Sequence, residues 1–178
     1  MTLSRGHRVL FGLSFVTVLG TATTLVTLNR ALQNKTATHG VVSMELARTL
    51  SRLQNVLASW DQPERIILAF SIGLAFCCTA AFTATLALGC SYFAHRFRGW
   101  FALNANVGQW VTAAVWIVGA LWIVQDALLG LALFGYASDP TVSATWCLAL
   151  LKFAAVTVGI MYITCSALFL IWRRFRHS

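Results

Sequence analysis

The sequence has few charged residues, few acids and almost no proline. Only 10% of its 178 residues are charged, with 5 Asp and Glu against 13 Lys and Arg, and there are 2 prolines. A water-soluble domain has about 25% charged residues, so an ordinary soluble globule is excluded. Because 58% of the residues are hydrophobic, an intrinsically disordered chain is excluded too. We therefore expect an integral membrane protein that forms a single transmembrane domain over residues 1–178.

The residues that membrane enzymes use are missing from the apolar segments. Membrane cytochromes need axial histidines inside their spans, whereas the four histidines of this chain lie outside them. The chain has no Cys-x-x-Cys pair for thiol redox chemistry. It also lacks a cluster of His, Cys, Asp and Glu at metal-ligand spacing. The sequence therefore predicts a protein that is not an enzyme and that holds no cofactor or metal.

Four apolar segments are long enough to cross a bilayer, which takes about 20 residues in a helix. They cover approximately residues 9–29, 66–94, 110–136 and 146–172. The only interruptions are Gln125 and Asp126 in the third segment and Lys152 in the fourth. The expected fold is an all-α bundle of four transmembrane helices.

The basic residues predict that both termini are cytoplasmic. One side of the membrane would carry bases without acids next to the spans. The segment 30–65, on the other side, mixes its bases with Glu45, Asp61 and Glu64. An even number of spans also requires both termini on one side, in agreement with the distribution of the bases. The expected location is the plasma membrane or a membrane of the secretory pathway.

Aromatic residues alternate with the bases at the predicted cytoplasmic surface. This pattern is typical of contact with anionic lipid headgroups, although the same bases would also set the topology alone. The predicted headgroup ligands are Arg96, Arg98, Arg173, Arg174 and Arg176. Nucleic acid is not an expected partner, despite a pI near 10.0, because the bases are divided among separate juxtamembrane patches.

The extracytoplasmic loop 30–65 contains an amphipathic pattern over residues 42–60, which predicts one helix. Its apolar stripe recurs every three or four residues, while Glu45 and Arg48 lie away from it. The stripe consists of Val42, Leu46, Leu50, Leu53, Leu57 and Trp60. The helix either covers the outer end of the bundle or lies in the interface, or it is a docking surface for a partner.

Two sequences that combine an acid with a proline predict helix starts. Asp61 is suited to cap the second span, Pro63 to its first turn, and Glu64 to the positive end of the helix dipole. Asp139 and Pro140 repeat this pattern before the fourth span.

Two residues are candidates for covalent modification. Asn34 begins the sequence Asn-Lys-Thr, an N-glycosylation sequon on the predicted extracytoplasmic side. Its closeness to the end of the first span argues against efficient use. Cys90 lies near the cytoplasmic end of the second span and is a candidate for acylation.

Asp126 and Lys152 are the acid and the base that lie clearly inside the spans. Charges in lipid are costly and usually find a partner inside the bundle, so we expect the two residues to form an intramembrane ion pair. Both are predicted to lie in the outer half of the membrane. The pair is either a structural clamp between the third and fourth spans, or an ion gate or binding site.

Small residues recur on single faces of three spans, which favours close packing of helices. The residues are Gly119 and Gly130 on the third span, Ala155 and Gly159 on the fourth, and Gly73, Cys77, Ala80 and Ala84 on the second.

These features favour a non-enzymatic protein that acts through contacts between transmembrane helices. It would be an accessory or organising subunit of a complex with other membrane proteins or with copies of itself. The alternative is a small channel or transporter that uses Asp126 and Lys152.

Overall fold

The computed structural model describes residues 5–97 and 102–176, which are mostly helical and contain no β-strand. Four of the helices are long and apolar enough to cross a membrane. This confirms the expected multi-pass helical membrane protein. In chain order, the elements are α1 (Arg5–Ala31), α2 (Val41–Glu45), α3 (Leu50–Ala58), α4 (Gln62–Phe97), α5 (Ala102–Leu133) and α6 (Asp139–Arg176).

The long helices extend beyond the predicted spans, except where α5 ends. The sequence predicts that the third span reaches residue 136, but α5 stops at Leu133. Gly135 has a φ of 88°, and Tyr136 N–H donates back to the carbonyl of Leu131 at 3.0 Å. Glycine adopts this left-handed backbone without strain and commonly ends helices, which accounts for the earlier end.

Helix α4 packs against α1, α5 and α6, and α5 packs against α6. The chain reverses at each connection, so the starts of α1 and α5 lie beside the ends of α4 and α6. We call this the basic end of the bundle, because Arg8, Arg96 and Arg176 lie there. We call the opposite end, where residues 32–61 connect α1 to α4, the loop end.

The connection between α1 and α4 packs onto the loop end of the bundle as a hydrophobic cap. Trp60 is 2% exposed, and its indole N–H donates to the carbonyl of Leu32 at 2.8 Å. The cap and the bundle share one core, which consists of Leu32, Ala37, Met44, Ala47, Leu53, Val56, Trp60, Leu68, Ile72, Leu129, Ala132 and Val142. The structure therefore favours the covering role for this segment, since most of its apolar side chains are buried within the chain.

The prediction of a single helix over residues 42–60 is wrong, because the chain forms two short helices, α2 and α3, with a break between them. Thr49 Oγ1 accepts a hydrogen bond from Arg52 N–H at 3.3 Å and so caps α3. A capping residue has extended backbone and ends helical continuity. The predicted stripe is split accordingly: Leu53 and Trp60 are buried, Val42, Leu50 and Leu57 are partly buried, and Leu46 is exposed.

The predicted start of α4 is confirmed in its hydrogen bonds. Asp61 Oδ1 accepts from Glu64 N–H at 3.0 Å, and Glu64 Oε2 accepts from Asp61 N–H at 2.9 Å. This reciprocal pair is a capping box.

The expectation for Asp139 is wrong, because Ser138 and Thr141 make the hydrogen bonds at the start of α6. Ser138 N–H donates to Thr141 Oγ1 at 2.8 Å. Asp139 Oδ1 instead accepts from Leu50 N–H, at the start of α3, at 3.3 Å. A carboxylate is favoured there by the dipole of α3.

Gly119 of α5 and Gly159 of α6 do bring helices together, as predicted, but the helix that they approach is α4. A methyl group on Gly119 would come within 2.9 Å of Thr83 Cβ, and one on Gly159 within 2.9 Å of Leu86 Cδ2. Gly130 has only an ordinary contact with Ile72. Ala155 is partly buried and lies in the same region as Gly119 and Leu86.

The small-residue stripe of α4 does not pack within the chain as we expected. Gly73, Cys77 and Ala80 are exposed, and Ala84 is partly buried. No heavy atom of another element lies within 4 Å of the position that a Gly73 methyl group would take. The reason is that α4 turns its other face inward, with Ser71, Ile72, Thr79, Thr83, Leu86, Ala87 and Cys90 buried.

Candidate functional site

The loop end contains a buried ion pair that joins the cap to the bundle. Lys152 Nζ lies 2.5 Å from Glu45 Oε2, and the two side chains are 5% and 13% exposed. The ammonium group also lies 4.7 Å from the ring centroid of Trp122 and 5.0 Å from that of Phe153. These distances allow cation–π attraction. Helix α2 of the cap supplies the acid, and α6 of the bundle supplies the base.

The expected direct pair of Asp126 with Lys152 is not formed. Asp126 is 3% exposed, and its Oδ2 accepts a hydrogen bond from Thr79 Oγ1 of α4 at 3.0 Å. Within residues 5–97 and 102–176, no salt bridge joins Asp126 to a base. The physical reason is that Asp126 faces α4, while the cap brings Glu45 to Lys152.

Glu45 is the site residue that the sequence pattern does not reveal, because a continuous amphipathic helix would place it on the polar face. The sequence explains the positions of the other acids outside the spans. Asp61, Glu64 and Asp139 all lie at predicted helix starts, where the helix dipole already accounts for a carboxylate. Glu45 likewise falls in the first turn of the helix predicted over residues 42–60, so this pattern does not single it out.

A cavity of about 400 Å³ lies beside this cluster, between α1, α2, α4 and α5. This is within the range of about 300–1,000 Å³ that small-molecule sites occupy. Asp126 and Glu45 line it, together with the indole of Trp122. Its walls are otherwise mostly apolar, and its rim on α1 includes Arg30, whose side chain is exposed.

Gln125 adds a second polar group at the level of Asp126. Its side chain is fully buried, and neither Oε1 nor Nε2 has a hydrogen-bond partner among the residues that the structure describes. Buried polar atoms of this kind are uncommon in folded proteins. The loop-end half of α5 therefore carries two buried polar side chains, Gln125 and Asp126.

The region below the cavity, toward the basic end, is closed by side chains. Leu86, Ala87 and Val115 form a buried cluster there. Gly119 and Gly159 hold α5 and α6 close to α4 in the same region. The cavity therefore ends inside the bundle.

The predicted lipid-binding bases are described only in part. Arg96 and Arg176 are exposed at the basic end, and Arg173 is partly buried. The guanidinium carbon of Arg176 lies 5.1 Å from the ring centroid of Trp172. Arg98 and the side chain of Arg174 lie outside the described residues.

Asn34 has a structural role in the cap that does not depend on glycosylation. Its Oδ1 accepts from Ala37 N–H at 2.7 Å and from Thr36 N–H at 2.9 Å. Its Nδ2 donates to the Ser59 carbonyl at 3.2 Å and to Ser59 Oγ at 3.1 Å. The amide nitrogen that would carry a glycan is thus used to hold the cap together.

Acylation of Cys90 is incompatible with its position in the folded chain. The residue has no exposed surface, and its thiol lies 3.9 Å from the carbonyl oxygen of Gly159. The prediction is wrong because the distance of Cys90 from the span end does not determine which way it faces. Its helical face points toward α6 rather than toward lipid.

No protein-family model matches this chain, and neither the curated proteins nor the solved structures include a detectably similar one.

Proposed function

We propose that the protein is a non-enzymatic tetraspan membrane protein that acts as an accessory or organising subunit of a membrane complex. The observation that supports this is the exposed face of α4 formed by Gly73, Cys77 and Ala80. Small residues let transmembrane helices approach closely and are enriched where such helices associate. Since no helix of the described chain covers this face, we expect a helix of another membrane protein to cover it.

The proposed orientation has both termini in the cytoplasm. The bases near the basic end support it, because short cytoplasmic segments carry an excess of Lys and Arg. The cap and the cavity then lie on the extracytoplasmic side of the plasma membrane or of a secretory-pathway membrane. Arg96 and Arg176 are exposed at the basic end and are in position to contact anionic lipid headgroups.

The experiment is to extract a tagged protein gently from its own membrane and to determine the composition of the particle by native mass measurement and peptide identification. We expect a different membrane protein in fixed stoichiometry. Ala80→Leu should weaken the association, because it fills the face. Ala120→Leu is the matched control, since Ala120 is exposed on α5.

A particle that contains only this chain as a homo-oligomer would contradict the accessory role. So would equal effects of Ala80→Leu and Ala120→Leu, because the face of α4 would then have no special part in assembly.

The cavity beside Asp126 favours a second candidate function, a small channel or transporter. Intramembrane carboxylates often mark ion or substrate pathways. Against this role, the cavity ends inside the bundle, and transporters usually have broken helices near their sites. Flux in proteoliposomes that disappears with Asp126→Asn would support this candidate, and the absence of flux would exclude it for the isolated protein.

A further inference from the structure

We propose that the cavity between α1, α2, α4 and α5 binds a small organic cation with an apolar body, and that Asp126 is its counter-ion. The inference is independent of the accessory role, since it concerns this cavity and not the exposed face of α4 formed by Gly73, Cys77 and Ala80. It rests on the charge balance of the cluster, on the chemistry of the cavity wall and on the cavity's size.

The charge balance leaves one negative charge in the buried cluster. Glu45 and Asp126 are two carboxylates, and Lys152 is the single base buried with them. Lys152 is bound to Glu45 at 2.5 Å, and its charge also acts on Asp126, whose carboxylate accepts a hydrogen bond from the Thr79 hydroxyl. One ammonium group can balance only one of these two carboxylates, and an uncompensated buried charge is costly. A second cation beside Asp126 would therefore lower the free energy of the site.

Arg30 does not supply that charge inside the cavity. It lies on the α1 rim, and its side chain is exposed. Interactions of solvent-exposed charges are weak and are screened by salt. Arg30 at the mouth of the cavity also provides a control variant, because a ligand that depends on the positive charge of Arg30 would have to be an anion.

The wall suits an organic cation better than a bare metal ion. Trp122 lines the cavity beside Asp126. The Lys152 ammonium already lies near its ring, so Trp122 contributes aromatic surface against which the apolar body of a ligand can pack. Apolar side chains of Leu25, Ile72 and Leu129 complete much of the wall. A volume of about 400 Å³ is far larger than one metal ion requires, and such mixed lining is typical of sites for small molecules.

The test uses benzyltrimethylammonium, which carries a permanent positive charge, and its neutral carbon analogue, neopentylbenzene. Binding to the full chain in lipid nanodiscs is measured by titration calorimetry, with empty nanodiscs as the blank. We expect saturable binding of one cation per chain and no comparable binding of the neutral analogue. Lack of saturable cation binding, or equal binding of both molecules, would overturn the proposal.

Variants locate the site. Asp126→Asn preserves the shape and the acceptor for Thr79, and it should weaken cation binding about tenfold or more, as loss of a buried charge partner does. Asp61→Asn is the matched control, because it removes an exposed carboxylate at a position where asparagine also caps a helix. We expect its affinity to be unchanged.

A further variant keeps the test decisive should Asp126→Asn fail to fold. Ala75 lines the cavity, so Ala75→Leu should reduce binding by occupying space, without a change in charge. Unchanged binding in both Asp126→Asn and Ala75→Leu, or binding that depends on Arg30→Gln instead, would place the ligand elsewhere and overturn the proposal.

Discussion

The loop end and the basic end of the bundle are held together by different interactions. At the loop end, a cap from another part of the chain covers the helices, and an ion pair and hydrogen bonds fix it there. Toward the basic end, glycines bring α5 and α6 directly against α4. The cap at the loop end leaves room for a cavity, whereas the close helix contacts toward the basic end fill the space between the helices. Position along the same helices therefore determines where space remains between them.

The largest expected effect is at the ion pair of the loop end. Lys152→Met leaves Glu45 as a mostly buried carboxylate without its base, and removal of one partner of such a pair typically costs about 3–5 kcal/mol. Denaturation in increasing SDS, followed by circular dichroism, measures this loss. The double variant Glu45→Gln with Lys152→Met should recover part of it. A double variant that is no more stable than Lys152→Met would show that the two side chains are not coupled.

Trp60→Ala should destabilise the cap by about 3–5 kcal/mol, the usual cost of truncating a buried aromatic residue. Trp60 is 2% exposed and also loses its hydrogen bond to Leu32. Trp110→Ala is the control, because Trp110 is 78% exposed. Limited proteolysis of residues 32–61 in nanodiscs measures the loosening of the cap. Equal cleavage of both variants would contradict the packing of Trp60.

Gly119→Ala should destabilise the helix contacts by about 1–3 kcal/mol, the usual cost of overpacking. The added methyl group would lie too close to Thr83. Gly73→Ala is the matched control in α4, with no heavy atom within 4 Å of the new methyl group. It should be neutral or slightly stabilising, because alanine favours helices. The same SDS titration compares the two, and equal stabilities would refute close packing at Gly119.

The smallest expected effect is at the start of α4. Asp61→Ala removes the acceptor for Glu64 N–H and should cost about 0.5–2 kcal/mol, as loss of a helix cap does. Asp61→Asn should restore most of the stability, because asparagine caps equally well. Thermal denaturation monitored by circular dichroism separates the two variants. If they unfolded at the same temperature, the cap would have no stabilising part.

The membrane-spanning helices could be predicted from the sequence because a long apolar run with almost no charge is typical of a helix inside a bilayer. Helical spacing also identified which small residues share a face, as with Gly119. It did not identify the neighbour of that face, since the choice between α4 and α6 depends on tertiary packing. The prediction of the Asp126–Lys152 pair failed for a related reason, because Glu45 reaches Lys152 through the packing of the cap onto the bundle, which local sequence patterns do not show.

Two natural cysteines test directly whether the cavity at the loop end favours cations, as we propose, and whether the region toward the basic end is closed. Cys78 lines the cavity, and Cys90 is fully buried. Two variants would each retain one of these cysteines and be treated with trimethylammonium-ethyl and with sulfonato-ethyl methanethiosulfonate. We predict that Cys78 reacts and Cys90 does not. We also predict that Cys78 favours the cationic reagent more strongly than a free thiol in solution does. Reaction of Cys90 as fast as that of Cys78, or no added preference for the cation at Cys78, would contradict the account.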